Sequence, residues 1–220
     1  MHLSILYLYA FIVGSFPSAY LVARIVKGMD LRQCGSGSLG ISNLVTHLGK
    51  AWIIPICVLD LGVKGTSPVL LGMFFFHLNS SSLLLIVAPL IALIGHNWSF
   101  ALKFRGGRGI SVIVGSLIIL DPLLTVVGLL IFVAAWFVTR RNVPISVLLA
   151  LLLMPMPALG LDSGIPVIVF LVAGLSLTVS KRLLGNGKGG LSNCHGHVIW
   201  RNRLFLDRDI SDRNEWIHRK

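Results

Sequence analysis

The chain has 220 residues, a formal net charge of +11, 55% hydrophobic residues and only 12% charged residues. Soluble domains carry about twice that charged fraction, so the composition excludes an ordinary soluble domain. Several apolar runs approach the roughly 20 residues that cross a bilayer, which predicts an all-α polytopic membrane protein. We expect no nucleic-acid partner, because the positive residues sit at the ends of the apolar runs.

The first apolar span runs from Leu3 to Ala23 and is interrupted by the sequence Gly14-Ser15-Phe16-Pro17-Ser18. A proline among small residues predicts a kink or a close helix contact there. In the polar segment 30–50 that follows, Gly35-Ser36-Gly37-Ser38 offers loose backbone with hydroxyl groups. Ser42-Asn43 suits the cap or the first turn of a short helix. Taken alone, this segment is typical of a linker; beside a basic loop it is a candidate phosphate-binding segment.

The second span, residues 51–76, carries Asp60 and Lys64, whose i, i+4 spacing puts both on one helix face. Charges inside a membrane span are costly, and they are usually paired or functional. Two interpretations stay open for them: a structural ion pair near a helix end, or a pair that belongs to a functional site.

The third span, residues 83–102, leads into the sequence GHNWSFALKFRGGRGIS at residues 95–111. Within it, Arg105-Gly106-Gly107-Arg108-Gly109 places two guanidinium groups beside three residues without a Cβ. Such backbone can direct successive N–H groups at one ligand, and arginine binds phosphate through charge-assisted hydrogen bonds. The alternative is a basic loop that touches lipid headgroups. For His96 we favour a hydrogen-bond donor or a structural residue over a base.

Apolar segments 110–120 and 123–139 are separated by Asp121-Pro122, which is a turn signal. Two further apolar spans, 143–159 and 165–180, follow. The total is seven predicted spans.

The positive charges support this count. With seven spans, one side of the membrane receives the first loop, the central loop, Arg140-Arg141 and the tail, which together hold 18 of the 19 Lys and Arg residues, all except Lys64. By the positive-inside rule this side is cytoplasmic and the N-terminus is outside. Both glycine-rich loops then face the cytoplasm beside helix ends, where anions are favoured. We therefore predict a cytoplasmic-side site for a phosphate-bearing substrate.

In these loops the chain resembles the acyl-phosphate:glycerol-3-phosphate acyltransferases of bacterial membranes, the PlsY family. The family's first motif, roughly GSGNxGATNxxR followed by GK and a D…KG pair, corresponds to residues 35–43, 49–50 and 60–65. Its second motif, roughly GHxxPxFxxFKGGKG, corresponds to residues 95–109. The resemblance implies a seven-helix transmembrane domain over residues 1–182, and we expect residues 183–220 to form a basic cytoplasmic tail that is partly disordered.

The resemblance implies acyl transfer from acyl phosphate to glycerol 3-phosphate, forming lysophosphatidate in phospholipid synthesis at the bacterial inner membrane. It implies catalytic roles for Ser36, Asn43 and Arg108, and a site or structural ion pair of Asp60 and Lys64. It implies substrate contacts from both loops, by Gly35, Gly37, Ser42, His96, Arg105, Gly106, Gly107 and Gly109. We expect membrane lipid and the two substrates as ligands, with no cofactor, no metal ion and no protein partner.

Several positions depart from the family's pattern. The departures in the first two motifs are Ser38 for Asn, Ile41-Ser42 for Ala-Thr, Thr46 for Arg, Ser99 for Pro, and Arg105 and Arg108 for two lysines. The third motif, HxxNxxRL, keeps only Arg182-Leu183, with Ser176 and Val179 at its His and Asn positions. A second hypothesis therefore stays open: a catalytically altered or inactive relative that binds a phospholipid or a phosphorylated metabolite.

Overall fold

The computed structural model describes residues 2–34, 37–185, 196–208 and 211–212, and the side chains of the third range from residue 199 onward. In these ranges the chain is helical and has no strand. The elements are α1 (Leu3–Ser15), α2 (Ser18–Lys27), α3 (Ile41–Leu48), α4 (Ile53–Cys57), a π-helical segment (Val58–Thr66), α5 (Ser67–Phe74), α6 (Leu83–Asn97), α7 (Ile110–Leu120), α8 (Pro122–Val138), α9 (Val143–Leu153), α10 (Pro155–Gly160), α11 (Ile165–Leu184) and α12 (Gly196–Leu206).

Five helical stretches of the described chain are long and apolar enough to cross a membrane: Leu3–Lys27, Lys50–Phe74, Leu83–Leu102, Val143–Gly160 and Ile165–Leu184. Two shorter apolar helices, α7 and α8, complete the seven predicted apolar segments. The predicted turn at Asp121-Pro122 is confirmed, because the Asp121 side chain caps α8 by accepting a 2.9 Å hydrogen bond from Leu124 N. The protein is a multi-pass, all-α integral membrane protein.

The predicted break in the first span lies between α1 and α2. Gly14 packs so closely on α6 that a Cβ there would overlap the backbone of Ala92. The Ser99 hydroxyl donates a 2.5 Å hydrogen bond to Ser15 O, one of the carbonyls that α1 leaves unpaired at its end. The break therefore leaves an indentation at one end of the bundle, and a loop after α6 closes against it.

The π-helical segment packs on α7 through glycines of both elements. A Cβ on Gly65 would lie 2.8 Å from Gly115 Cα and 2.8 Å from Val112 O, both of them backbone atoms. Small residues at such a crossing let two helix backbones approach closely.

Gly65→Ala is expected to destabilise the protein by about 1–3 kcal/mol, because the added methyl group must push two helix backbones apart. Gly62→Ala is the matched control, since a Cβ at Gly62 has no neighbour within 4 Å. Thermal unfolding in the same lipid would compare the variants. Equal melting temperatures would show that the crossing does not need a glycine.

The basic loops gather at one end of the bundle. Leu39 N donates to Gly106 O at 3.3 Å, which joins the first loop to the central loop. Arg182 Nη1 donates to Pro144 O at 3.0 Å, which joins the end of α11 to the start of α9. This common end is what the seven-span count predicts.

Helix α12 lies in the segment that the sequence analysis assigned to a tail. Arg182 Nη1 donates to Leu204 O at 3.0 Å, and Arg203 Nη1 donates to Leu183 O at 2.9 Å. These bonds fasten α12 to the end of α11. Sequence reasoning did not predict this helix; residues 186–195, 209–210 and 213–220 of the tail lie outside the described residues.

Candidate active site

A small pocket opens where the break between α1 and α2 meets the two basic loops. Its walls come from four separate parts of the chain: Phe16, Pro17, Ser18, Leu39, Lys64, His96, Ser99, Gly106 and Gly107. The sequence analysis placed four of these residues in a site, namely Lys64, His96, Gly106 and Gly107. Ser18 and Ser99 were not predicted as site residues.

Asp60 and Lys64 form a buried ion pair in the wall of this pocket. Lys64 Nζ lies 2.6 Å from Asp60 Oδ1, and the two side chains are 3% and 1% exposed. The Ser18 hydroxyl donates to Asp60 at 2.5 Å and accepts from Lys64 at 2.9 Å. The pair therefore lies within the protein and not in the membrane interface, and Ser18 ties it to the break between α1 and α2.

His96 ends α6 beside this pair. Its Nδ1 lies 3.5 Å from Lys64 Nζ, and an ammonium group can only donate, so Nδ1 accepts and the neutral ring carries its proton on Nε2. Nε2 faces Gly107, where a Cβ would overlap that atom. This geometry agrees with the hydrogen-bond donor or structural role that the sequence analysis favoured for His96.

The glycine-rich loop is pressed onto the end of α6. A Cβ on Gly106 would overlap the carbonyls of His96 and Asn97, and Gly107 N donates to His96 O at 3.0 Å. Gly109 takes a left-handed φ of 76° and starts α7. The sequence analysis expected backbone N–H groups that are open to a ligand, but the N–H of Gly107 is already used inside the protein. The glycines are required here for close packing.

The first loop is held together by Asn43. Its Nδ2 donates to the carbonyls of Leu31, Cys34 and Ser38 at 3.3, 3.0 and 2.9 Å. Asn43 is buried on α3, so its amide group links the loop backbone to that helix. The predicted catalytic role of Asn43 is not tested by this geometry.

Two other predicted residues of the first loop, Gly37 and Ser42, are described. Gly37 has a left-handed φ of 63°. Ser42 is exposed on α3, and its carbonyl accepts a bond from Thr46 Oγ1 at 2.9 Å. Gly35 and Ser36 lie outside the described residues.

Asn43→Asp is expected to disrupt the first loop and to lower activity at least tenfold, because a carboxylate would face three carbonyl oxygens that it cannot donate to. Thr46→Ala, on an exposed face of the same helix, is the matched control and should leave activity near wild type. Activity and melting temperature would be measured together. An active, fully stable Asn43→Asp variant would contradict the anchoring role.

At the mouth of the loop Asp30 pairs with Arg32, whose Nη2 lies 2.6 Å from Asp30 Oδ2. The hydrogen bonds from Arg32 hold the pKa of the Asp30 carboxyl below its usual value.

A second group of cations lies beside the pocket, at the start of α7 and the end of α11. Lys181 and Arg182 are 1% and 3% exposed. Lys181 Nζ lies 5.2 Å from the centre of the Trp98 ring, and Arg108 Nη1 donates to Lys181 O at 2.8 Å. Sequence reasoning did not place Trp98 or Lys181 in a site, because periodicity does not show which basic residues turn inward.

One carboxylate reaches this cation cluster. Asp207, just after α12, places Oδ1 at 2.7 Å from Arg108 Nε. Three cations and one carboxylate leave a formal charge of +2 among Arg108, Lys181, Arg182 and Asp207. Buried charge without a partner is costly, so the cluster is suited to an anionic ligand.

The family model described as glycerol-3-phosphate acyltransferase matches residues 4–186. The chain belongs to the glycerol-3-phosphate acyltransferase family. It is 31% identical over 216 residues to glycerol-3-phosphate acyltransferase 4 of Dehalococcoides mccartyi (strain CBDB1), covering 95% of this chain and 90% of that protein. It is 32% identical over 206 residues to a glycerol-3-phosphate acyltransferase of Synechococcus elongatus, covering 91% of this chain and 88% of the relative.

A solved structure shares the fold of this glycerol-3-phosphate acyltransferase family member. The crystal structure of PlsY (YgiH), an integral membrane glycerol 3-phosphate acyltransferase in its glycerol 3-phosphate form, aligns with a TM-score of 0.74. The alignment covers 82% of this chain and 88% of that chain, at 23% identity. The family resemblance that the sequence analysis drew from the two loops is therefore confirmed.

Three positions of this family member at which the motifs differ do not point into the cation cluster. Thr46 and Ser176 are exposed, and each hydroxyl bonds to a carbonyl of its own helix, Ser42 O at 2.9 Å and Val172 O at 2.8 Å. Arg105 is partly exposed, and no described residue accepts a hydrogen bond from its guanidinium group. Among the described residues no three metal-binding side chains come together.

Proposed function

We propose that this chain transfers the acyl group of an acyl phosphate to glycerol 3-phosphate, forming lysophosphatidate and inorganic phosphate. The observation that carries the proposal is the meeting of the two family motifs at one pocket, where Leu39 N donates to Gly106 O at 3.3 Å. Beside that contact lie the partly buried Arg108 and the buried cations Lys181 and Arg182. Both substrates carry phosphate groups, and the cations would offset their charge.

The reaction does not need a strong acid or base from the protein. The primary hydroxyl oxygen of glycerol 3-phosphate attacks the acyl carbonyl carbon, and the bond from that carbon to the phosphate oxygen breaks. The leaving phosphate takes the electron pair, and it can also take the hydroxyl proton. Positioning of the two substrates and stabilisation of negative charge then supply most of the rate enhancement.

The residues of the pocket divide these tasks. Arg108 and Lys181 would hold a phosphate group, while Arg105 is free of described partners and is open to a second one. His96 Nε2 would donate a hydrogen bond toward the pocket. The charges of Asp60 and Lys64 cancel, so the pocket wall that carries the Asp60 carboxylate does not repel the acyl phosphate.

The basic end of the bundle is the proposed cytoplasmic end. Both loops, Lys181, Arg182 and α12 lie there, whereas the opposite end holds the contact from Tyr7 Oη to Leu84 O at 3.0 Å. By the positive-inside rule the N-terminus is outside and the C-terminus cytoplasmic, in the plasma membrane of a bacterium. The orientation can be tested by labelling Ser80→Cys and Lys103→Cys in intact cells with a thiol reagent that does not cross the membrane. Only Ser80→Cys should be modified. Modification of Lys103→Cys alone would show that the orientation is the reverse of the proposed one.

The test of the reaction uses purified protein in lipid with acyl phosphate and labelled glycerol 3-phosphate. Lysophosphatidate is expected, with one inorganic phosphate released for each molecule formed. A parallel reaction with acyl-coenzyme A should give no product. Product from acyl-coenzyme A alone would show that the proposed donor is wrong, and no product from either donor would show that the proposed reaction is wrong.

The departures from the motifs favour one second candidate, a relative that binds a phosphorylated ligand with little or no turnover. Thr46, Ser176 and Val179 stand where the family places an arginine, a histidine and an asparagine, and the first two are exposed. For this candidate, glycerol 3-phosphate raises the melting temperature while no lysophosphatidate forms.

A further inference from the structure

Asp207 reaches the cation cluster from outside the segment that carries the family motifs. The family match ends at residue 186, and Asp207 lies 21 residues beyond it. The residue takes a left-handed φ of 55°, which aspartate tolerates better than most residues but which still costs free energy. This turn after α12 directs the carboxylate back to Arg108.

The guanidinium group of Arg108 is held on two sides. Nε lies 2.7 Å from Asp207 Oδ1, and Nη1 donates to Lys181 O at 2.8 Å. No described residue accepts a hydrogen bond from Nη2. The ion pair at Nε and the hydrogen bond at Nη1 together restrict the orientations of this planar guanidinium group, and Nη2 stays available to a ligand.

The charge of the cation cluster allows an anionic ligand to bind while Asp207 stays paired with Arg108. Without this carboxylate, the cluster would hold three cations close together, and they would repel one another. With it, the formal charge of +2 matches the phosphate group of an acyl phosphate, which carries two negative charges when fully ionised. Asp207 contacts Arg108 at Nε through one oxygen, and Nη2 keeps no acceptor among the described residues.

We propose that Asp207 is a positioning residue, which holds Arg108 in the orientation that binds the phosphate group of the acyl donor. The proposal rests on the proposed acyl-phosphate reaction. It assigns to α12 a part of the site that lies outside the family motifs. Asp207 itself does not touch the substrate, so the loss of its carboxylate affects the reaction only through Arg108.

Asp207→Asn is the first test, since it keeps the size of the side chain and removes its charge. We expect kcat/KM for acyl phosphate to fall on the order of 10- to 100-fold, because a misdirected binding group loses that much. KM for acyl phosphate should rise more than KM for glycerol 3-phosphate. Asp207→Glu should recover part of the loss, since it restores a carboxylate.

Arg203→Gln is the matched control in α12, the helix that Asp207 follows. It removes the 2.9 Å bond to Leu183 O without touching Arg108, and its activity should stay near wild type. If Arg203→Gln lost as much activity as Asp207→Asn, the contact would only dock the helix and the proposal would be wrong. An unchanged Asp207→Asn variant would equally overturn it.

A fall in KM for acyl phosphate, in place of the expected rise, would also decide against the proposal. A lower KM for acyl phosphate in Asp207→Asn would mean that the carboxylate competes with the donor for Arg108. If wild-type protein forms no lysophosphatidate, the reaction fails but Asp207 can still be tested by the melting-temperature shift that inorganic phosphate causes. A smaller shift in Asp207→Asn than in wild type supports positioning, and an equal or larger shift contradicts it.

Discussion

Replacing Arg108 by alanine is expected to lower kcat/KM for acyl phosphate by at least about 100-fold, the loss typical of a missing charge-stabilising donor. Arg108 joins α7 to the end of α11 through its bond to Lys181 O and stands beside two further buried cations. Arg108→Lys should restore only part of the activity, because an ammonium group cannot be held at two edges and still present a third. Initial rates over a range of acyl phosphate concentrations would measure both effects.

Two further variants distinguish the specific role of Arg108 from the effect of the loop's overall positive charge. Lys103→Ala removes a basic residue of the same loop whose side chain is exposed, and it should keep near-wild-type activity. Arg105→Ala combined with Arg108→Ala should abolish the melting-temperature shift caused by glycerol 3-phosphate or acyl phosphate. A double variant that still binds both ligands would refute the assignment of the site to this loop.

Removing one partner of the Asp60–Lys64 pair should destabilise the protein by about 3–5 kcal/mol, the usual cost of leaving a buried charge without its partner. Asp60→Leu strands the Lys64 ammonium, whose side chain is 3% exposed. Lys64→Met strands the carboxylate in the same way. The combined variant should be more stable than either single variant, because no isolated charge then remains. Thermal or denaturant unfolding in one lipid composition would compare all three.

The ion pair of Asp30 and Arg32 is the matched control. Their side chains are 15% and 25% exposed, so Asp30→Asn should cost less than about 1 kcal/mol. If Asp60→Leu cost no more than this control, the buried pair would not be a stabilising element. If the combined variant were stable but inactive, the pair would be needed for the pocket and not for the fold.

Much of the fold could be predicted because apolar length and turn chemistry are local properties. Pro17 breaks the first span between α1 and α2, and Asp121-Pro122 separates α7 from α8, as their residue types require. The meeting of the two loops followed from charge, since all the basic segments had to share one side. The family also followed from the order of the two motifs along the chain.

Other features depend on contacts that no local pattern shows. The glycines at 106 and 107 are read from sequence as a flexible ligand cradle, but their contacts with His96 and Asn97 make them packing residues. The catalytic role of Asn43 was implied by the family resemblance and stays a prediction, whereas its three bonds to the loop backbone could not be predicted from sequence. The π-helical segment was missed because the shift of hydrogen-bond register leaves the hydrophobic period almost unchanged.

The contacts of α12 have a consequence for the order in which the protein is made. Arg182 obtains one of its acceptors from Leu204, and Arg108 obtains its carboxylate from Asp207. Leu204 and Asp207 follow every apolar helix in the chain, so both contacts need residues that are synthesised after α11. A chain stopped near residue 186 would therefore contain the whole family segment and still leave the guanidinium groups of Arg108 and Arg182 without these partners. Leu204 and Asp207 thus complete the environment of Arg182 and Arg108, and a truncation before them is expected to alter the cation cluster.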